Sequence, residues 1–343
     1  MFIDTTNHAS SGMPVAPRGG TGNLDATGWS PEIISRLHQA IAETLAQTAV
    51  CRTFLPILPC SPRASTISNG LWTADKVAPH DRYVMTARSD HVEPLVELFV
   101  DFALTRPQVE SEPHARHGES LARRATAALA NAEDFALVNG WPSDPQQVDS
   151  AALPASRYVR AVIPAGVEQA TLIAEPIGPA VAPRDTPNPI FTEPARPLHA
   201  ANLAARTIAA ADALHEHGLE PPFVLLLSPW NRSQLGLRRT YDEYRVTPQD
   251  LLPDDIKTIA DTRSVSDERA LLIATGGQPV QIRAPSRDYE LALTEIDAEG
   301  RFNFRLSFRF ALQIRGLYPP IAASQAPDAK PALRNPYTFE LKP

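Results

Sequence analysis

The chain reads as an α+β protein with mixed sheets, and three features of its sequence carry that reading. From Val92 to Leu104, apolar residues fall on Val92, Pro94, Val96, Leu98, Val100, Phe102 and Leu104, with Glu93, Glu97 and Asp101 on the alternate positions. The same period of two returns near the C-terminal end, at Phe302, Phe304, Leu306, Phe308, Phe310, Leu312 and Ile314. Successive side chains of an extended strand point to opposite faces, so both runs are strands. Each runs for about 40 Å, roughly twice the usual strand. The third feature is order: helical stretches, long strands and short strands follow one another without the regular alternation of a parallel α/β sheet.

Taken in sequence, residues 1–27 are polar and aperiodic and read as an arm. Ser30, Pro31 and Glu32 make a helix start, and Ile34, Leu37, Ile41 and Leu45 follow at helical spacing, so the sequence predicts an amphipathic helix over 31–49. Phe54 to Pro79 is punctuated by Pro and Gly, with a turn at Ser68-Asn69-Gly70. Arg82–Arg88 reads as a short strand that would pair with the long one after it as an extended hairpin, which Pro107 ends. A second helix is expected over 119–138, with Leu121, Ala125, Ala128, Ala132 and Phe135 on one stripe and Asn139-Gly140 as its stop. Residues 141–197 hold eleven prolines and read as an insertion, with short strands in RYVRAVI and ATLIAE. Helix returns over 199–217, then the apolar run FVLLL (223–227) and Arg269–Ala274 as buried strands, the long aromatic strand, and a Pro-rich tail.

A chain of 343 residues buries a real core as one large domain or two smaller ones. Net charge −7 argues against a nucleic-acid binder. Cys51 and Cys60 are too few for a disulfide framework and point to a reducing compartment, although they stand close enough to bridge. No apolar run approaches the ~18 residues of a membrane span, and the N-terminus lacks the pattern of a signal peptide. The expectation is a soluble cytoplasmic protein.

Motifs that carry chemistry are missing from the pattern. His114 and His117, and His215 and His217, do not match the H-E-x-x-H spacing of zinc proteases. Arg18–Gly22 lacks the lysine and preceding strand of a phosphate loop, and Thr275-Gly276-Gly277 is a turn signal only. Ser228 after FVLLL is a nucleophile candidate without an identifiable histidine. Glu133 and Asp134 point about 100° apart on their helix and form no acid/base pair. No metal or cofactor is expected. The long strands do carry two charged rows, Glu93, Glu97 and Asp101 on one, Arg301, Arg305 and Arg309 on the other. Both recur about every 13 Å. They either pair, within the chain or between copies where they would help set assembly, or form two solvated faces.

Five segments in order resemble the encapsulins, the linocin-like shell proteins of bacteria. Pro94, Leu95, Val96, Glu97, Leu98, Phe102 and Leu104 match that family's P-L-(V/I)-E-L-x-x-x-F-x-L run. Trp29 before the first helix, AEDFALVNG at 132–140, the helix followed by HGLEPPFVLLL, and FNFRLSFRFALQI are similar to family segments. The family's G-Q-D-L-S-x-G-Y turn is replaced by TEIDAEGR, and the arm, insertion and tail lack counterparts.

The resemblance implies the tailed-phage major capsid protein fold (Hong Kong 97 type). Its parts would be an arm (1–27), the N-terminal helix of a peripheral domain (28–60), an extended hairpin loop (61–105), a spine helix (106–140), an axial domain with the insertion (141–278), C-terminal peripheral strands (279–318) and a tail (319–343). On this reading the long strand is one arm of the hairpin, with its apolar face covered by neighbouring subunits. The implied function is a self-assembling icosahedral nanocompartment enclosing a dye-decolourising peroxidase or a ferritin-like protein. A short terminal peptide of that cargo would dock on the inner wall, where Ile34, Leu37, Ile41 and Leu45 are the candidate residues; the alternative is that they hold the helix to its own sheet. A prophage capsid packaging DNA and a hydrolase using Ser228 are the competing functions.

Overall fold

The computed structural model of the chain describes residues 24–68, 71–77, 82–88, 92–139, 159–162, 200–216, 219–237, 239–241, 244–267, 270–278, 280–314, 316–318 and 338–341. In chain order these form α1 (Pro31–Thr48), β1 (Ile57–Pro59), β2 (Thr66–Ser68), β3 (Leu71–Val77), β4 (Arg82–Arg88), β5 (Val92–Pro94) and β6 (Val96–Leu104). Helices α2 (Arg106–Glu110), α3 (Glu112–Ala115) and α4 (His117–Asn139) follow, then β7 (Val159–Val162), α5 (Ala200–Glu216), β8 (Phe223–Leu227) and α6 (Pro229–Leu235). The remainder is β9 (Arg239–Tyr241), β10 (Tyr244–Val246), β11 (Ile256–Asp261), β12 (Ala270–Ala274), β13 (Val280–Ala284), β14 (Glu290–Ile296), β15 (Phe302–Ile314), β16 (Gly316–Tyr318) and β17 (Thr338–Leu341).

The two long alternating runs meet in one sheet. β15 lies antiparallel to β6 in the register Arg305↔Asp101 and Arg309↔Glu97. On its other edge β15 takes β14 and β13, while β7 and β1 extend the sheet outward. The apolar face, with Val96, Leu98, Val100, Phe304, Leu306 and Phe310 buried, is covered by the chain's own α4, which packs on both β6 and β15. This corrects the expectation that neighbouring subunits cover it. α1 packs in turn on α4, so α4 is buried around most of its circumference rather than along one stripe. Its alanines at 122, 125, 128, 130, 132 and 136 are what allow close approach on several sides at once.

The hairpin also differs from expectation. β4 pairs with β3 before it, not with the long strand after it. Only Val92–Pro94 of the thirteen-residue run belongs to this ribbon, as β5 paired with β2. At Leu95 the chain leaves the ribbon for the sheet: the Leu95 N–H donates to the Ser65 carbonyl at 2.9 Å, and its side chain is buried with Ile67 and Ala311. The ribbon thus spans 66–94, and among the described residues its outer strands pair otherwise only with β16.

A second sheet, β11-β8-β12-β17, forms the other layer. Every residue of β8 and β12 is buried, as their unbroken apolar runs require, with α5 and α6 packed against the sheet. β17 falls in the stretch expected to be a tail, and pairs antiparallel with β12. The arm before residue 24, most of 141–197 (ATLIAE included), Gly140 and residues 319–337 lie outside the described residues.

Candidate assembly surfaces

The charged rows meet inside the chain at one pair, and the other two arginines take different partners. Arg305 grips Asp101 through Nε at 2.8 Å and Nη2 at 3.1 Å, and its guanidinium lies 3.9 Å from the centre of the Phe99 ring. Arg309 sits opposite Glu97 in register, but its guanidinium donates to the carbonyls of Ala64 at 2.5 Å and Pro62 at 3.4 Å. Burial pushes the Glu97 carboxyl up, against the lowering influence of Arg305 and Arg309. Arg301 never reaches the opposite strand, because the register sets it beyond the end of β6. It folds back onto the β14–β15 turn, with Nε 2.8 Å from Asp297 and Nη2 2.8 Å from Glu299. Glu93 is paired in β5 with Ile67, and its side chain lies outside the described residues.

These contacts identify a feature the sequence pattern does not announce: β15 anchors the root of the ribbon. Arg309 binds the carbonyls of residues 62 and 64, and Gln313 donates to the Ser68 carbonyl at 2.6 Å while accepting from Gln281 at 2.5 Å. Arg309, from the row that could have formed a solvated face, and Gln313 are thus spent on backbone carbonyls of a segment about 245 residues away in sequence.

On α1, Leu37, Ile41 and Leu45 are buried in the main core, and Ile34 is partly buried at its edge. Of the four, Ile34 alone keeps part of its surface exposed, while the other three are already covered by the chain itself. The face α1 turns outward is polar, including Glu32, Ser35, His38, Gln39 and Glu43. Arg36 and Arg123 cross from α1 to α4 through Glu119 and Glu43, which holds the two helices in register.

The remaining chemical candidates do not assemble. Ser228 is buried and caps α6, its Oγ accepting from the Asn231 N–H at 3.2 Å. His215 pairs with Asp255 at 3.0 Å and stacks edge-on against Phe223, at the opposite end of β8. Five residues of strand put the serine about 17 Å from that pair. No group of three or more metal-ligating side chains occurs among the described residues, and none of the described helices is long and apolar enough to cross a membrane. Glu133 and Asp134 are both buried and take separate partners, as their divergence on α4 requires.

No protein-family model matches the chain, and no curated protein matches it. Solved structures do. A virus-like particle subunit from Pyrococcus furiosus shares 12% identity, covering 82% of this chain and 95% of its own, with a TM-score of 0.53. The holo-SrpI encapsulin complex of Synechococcus elongatus PCC 7942 matches at 12% identity over 84% and 85% of the two chains, with a TM-score of 0.43. A chain of Mycobacterium phage Adephagia matches at 14% identity over 80% and 92%, with a TM-score of 0.48. The fold assignment rests on the first of these. With α1 and the spine α4 packed on the β6–β15 sheet, a ribbon built of β2 to β5 and a second sheet under α5 and α6, the chain has the tailed-phage major capsid fold.

Proposed function

We propose that the chain is a shell subunit, copies of which close into an icosahedral protein compartment around a cargo protein. The observation that carries the reading is the fold shared with the virus-like particle subunit over nearly all of that chain. The ribbon supports it physically. A two-stranded ribbon is marginal in water by itself, and the outer part of this one pairs, among the described residues, only with a three-residue strand. A neighbouring copy is the natural cover for it, and closed symmetry then follows from repeating one contact. In this proposal Arg305 and Asp101 act indirectly, by stiffening the sheet from which the ribbon departs. The cargo is a dye-decolourising peroxidase or a ferritin-like protein in the cytoplasm, held by a terminal peptide on the inner wall near Ile34. The net charge of −7 fits a protein cargo better than packaged DNA.

The test is negative-stain electron microscopy with size-exclusion chromatography of the protein from its native host. Closed shells with a co-purifying protein support the compartment, and mass spectrometry of that band names the cargo. Shells filled with DNA replace the cargo reading with a phage capsid. A small discrete oligomer overturns the shell itself.

A further inference from the structure

Beneath the turn that follows α1, two carboxylates and one guanidinium are shut inside the chain. Arg52 binds Glu133 through Nε at 2.8 and 3.1 Å and through Nη2 at 2.8 Å, and Nη1 donates to the Arg287 carbonyl at 2.5 Å. The Tyr289 hydroxyl donates to Glu133 at 2.7 Å. Arg52 and Glu133 therefore neutralise each other. Asp134, 1% exposed, has no cation of its own: its two oxygens accept the N–H groups of Val50 and Cys51, each at 2.9 Å, and the Cys51 thiol also donates to it. The groups that act on it are Cys51 and Arg52 from the turn, Glu133 from α4, and Tyr289 from the segment before β14. The only cation among them is already committed to Glu133.

We propose that Asp134 is a proton-operated switch at the corner between α1 and β1, taking up and releasing one proton while the chain stays folded. Ionised, it offers full acceptors to both N–H groups but leaves an uncompensated negative charge in the interior. Protonated, it balances the cluster but becomes a weaker acceptor for one of the two. Burial dominates, pushing the Asp134 carboxyl up to about 7 against the lowering effect of the Cys51 and Val50 hydrogen bonds. The Cys51 thiol beside it is pushed well up, first by burial and then by Asp134, and stays protonated throughout. Asp134 joins α4 to the turn, and Arg52 and Tyr289 join the same turn to the β13–β14 connection, so the corner's three segments all sense the charge.

Because the folded-state value lies above that of an unfolded carboxyl, the associated stability is full on the acid side and is lost as pH rises through the interval up to about 7. The experiment is heat unfolding of the purified full-length chain and of Asp134→Asn, in the same assembly state, from about pH 5 to about pH 8. The expected result is that the wild-type midpoint falls relative to the variant's by several degrees over that interval, on the order of what one lost charge balance produces. Parallel curves overturn the proposal. If the variant does not fold, infrared spectra of Glu97→Gln, which removes the other buried carboxyl whose pKa is raised, decide: an un-ionised carboxylic acid band persisting at about pH 6, where exposed carboxyls have ionised, supports the switch, and its absence overturns it.

Discussion

Arg52 enters the interior beneath Phe308 and Tyr289, its guanidinium 4.1 Å and 4.9 Å from the two ring centres, and ends on Glu133. The rings and the carboxylate together replace the water that the charge has left. Glu133→Gln keeps the shape but strands the guanidinium, so unfolding in denaturant should show a loss of roughly 3–5 kcal/mol. An unchanged midpoint would mean that water reaches the site. Arg305 is a milder case, because it and Asp101 are a quarter and nearly half exposed. Arg305→Glu sets like charges across the strands and should lower monomer stability by about 1 kcal/mol, well short of unfolding the chain.

At the scale of elements, α1 is held by its apolar face and tuned by its charged one. Leu37 is 1% exposed, so Leu37→Ala leaves a cavity and should cost about 2–5 kcal/mol, read as a lower denaturation midpoint. Ile34→Ala, at the edge of the same core, should cost less than half as much. Should a cargo peptide dock on this wall, its binding would respond to Ile34→Ala without a matching loss of stability. The ribbon behaves in the opposite way. Among the described residues its strands pair only with one another and with β16, so replacing residues 66–94 by a short turn should leave the helix-on-sheet domain folded by circular dichroism while abolishing any assembly seen in size-exclusion chromatography. Loss of the folded signal would show that Arg309 and Gln313 fasten the ribbon because the sheet needs it.

For the whole molecule, the anchoring of the ribbon by β15 would, in the proposed shell, tie the geometry of assembly to the internal sheet. Arg305→Glu disturbs that sheet where it meets Phe99 and Glu97, and the share of chains found in shells should fall by more than the small stability loss accounts for. A shell yield equal to wild type would separate the charged rows from assembly altogether. Asp134 reaches the corner between α1 and β1 from α4, away from the root of the ribbon, so if the proposed shell forms its titration can be measured both in shells and in free subunits.

Much of this was legible in the chain alone, wherever the signal is carried by neighbours in sequence. Strand β15 runs over Phe302–Ile314 as its alternation requires, α1 begins at Pro31, and FVLLL is a fully buried strand, because side-chain direction repeats with backbone geometry and needs no distant partner. Pattern alone gave an α+β chain with mixed sheets; the capsid-like fold was implied by the resemblance of five segments in order to the encapsulins. What the tertiary structure decided is partnership. The run from Val92 to Leu104 keeps its period across Leu95, yet the chain turns there because Ile67 and Ala311 bury that side chain. The arginine row looks uniform, yet register gives Arg305 a carboxylate, Arg309 two carbonyls and Arg301 its own turn. Glu133 and Asp134 are adjacent and both acidic, and only the arrival of Arg52 and Tyr289 at the first makes the second the group without a counter-charge. Pairing across 80 to 250 residues leaves no local trace, since it depends on which surfaces the packed core brings together.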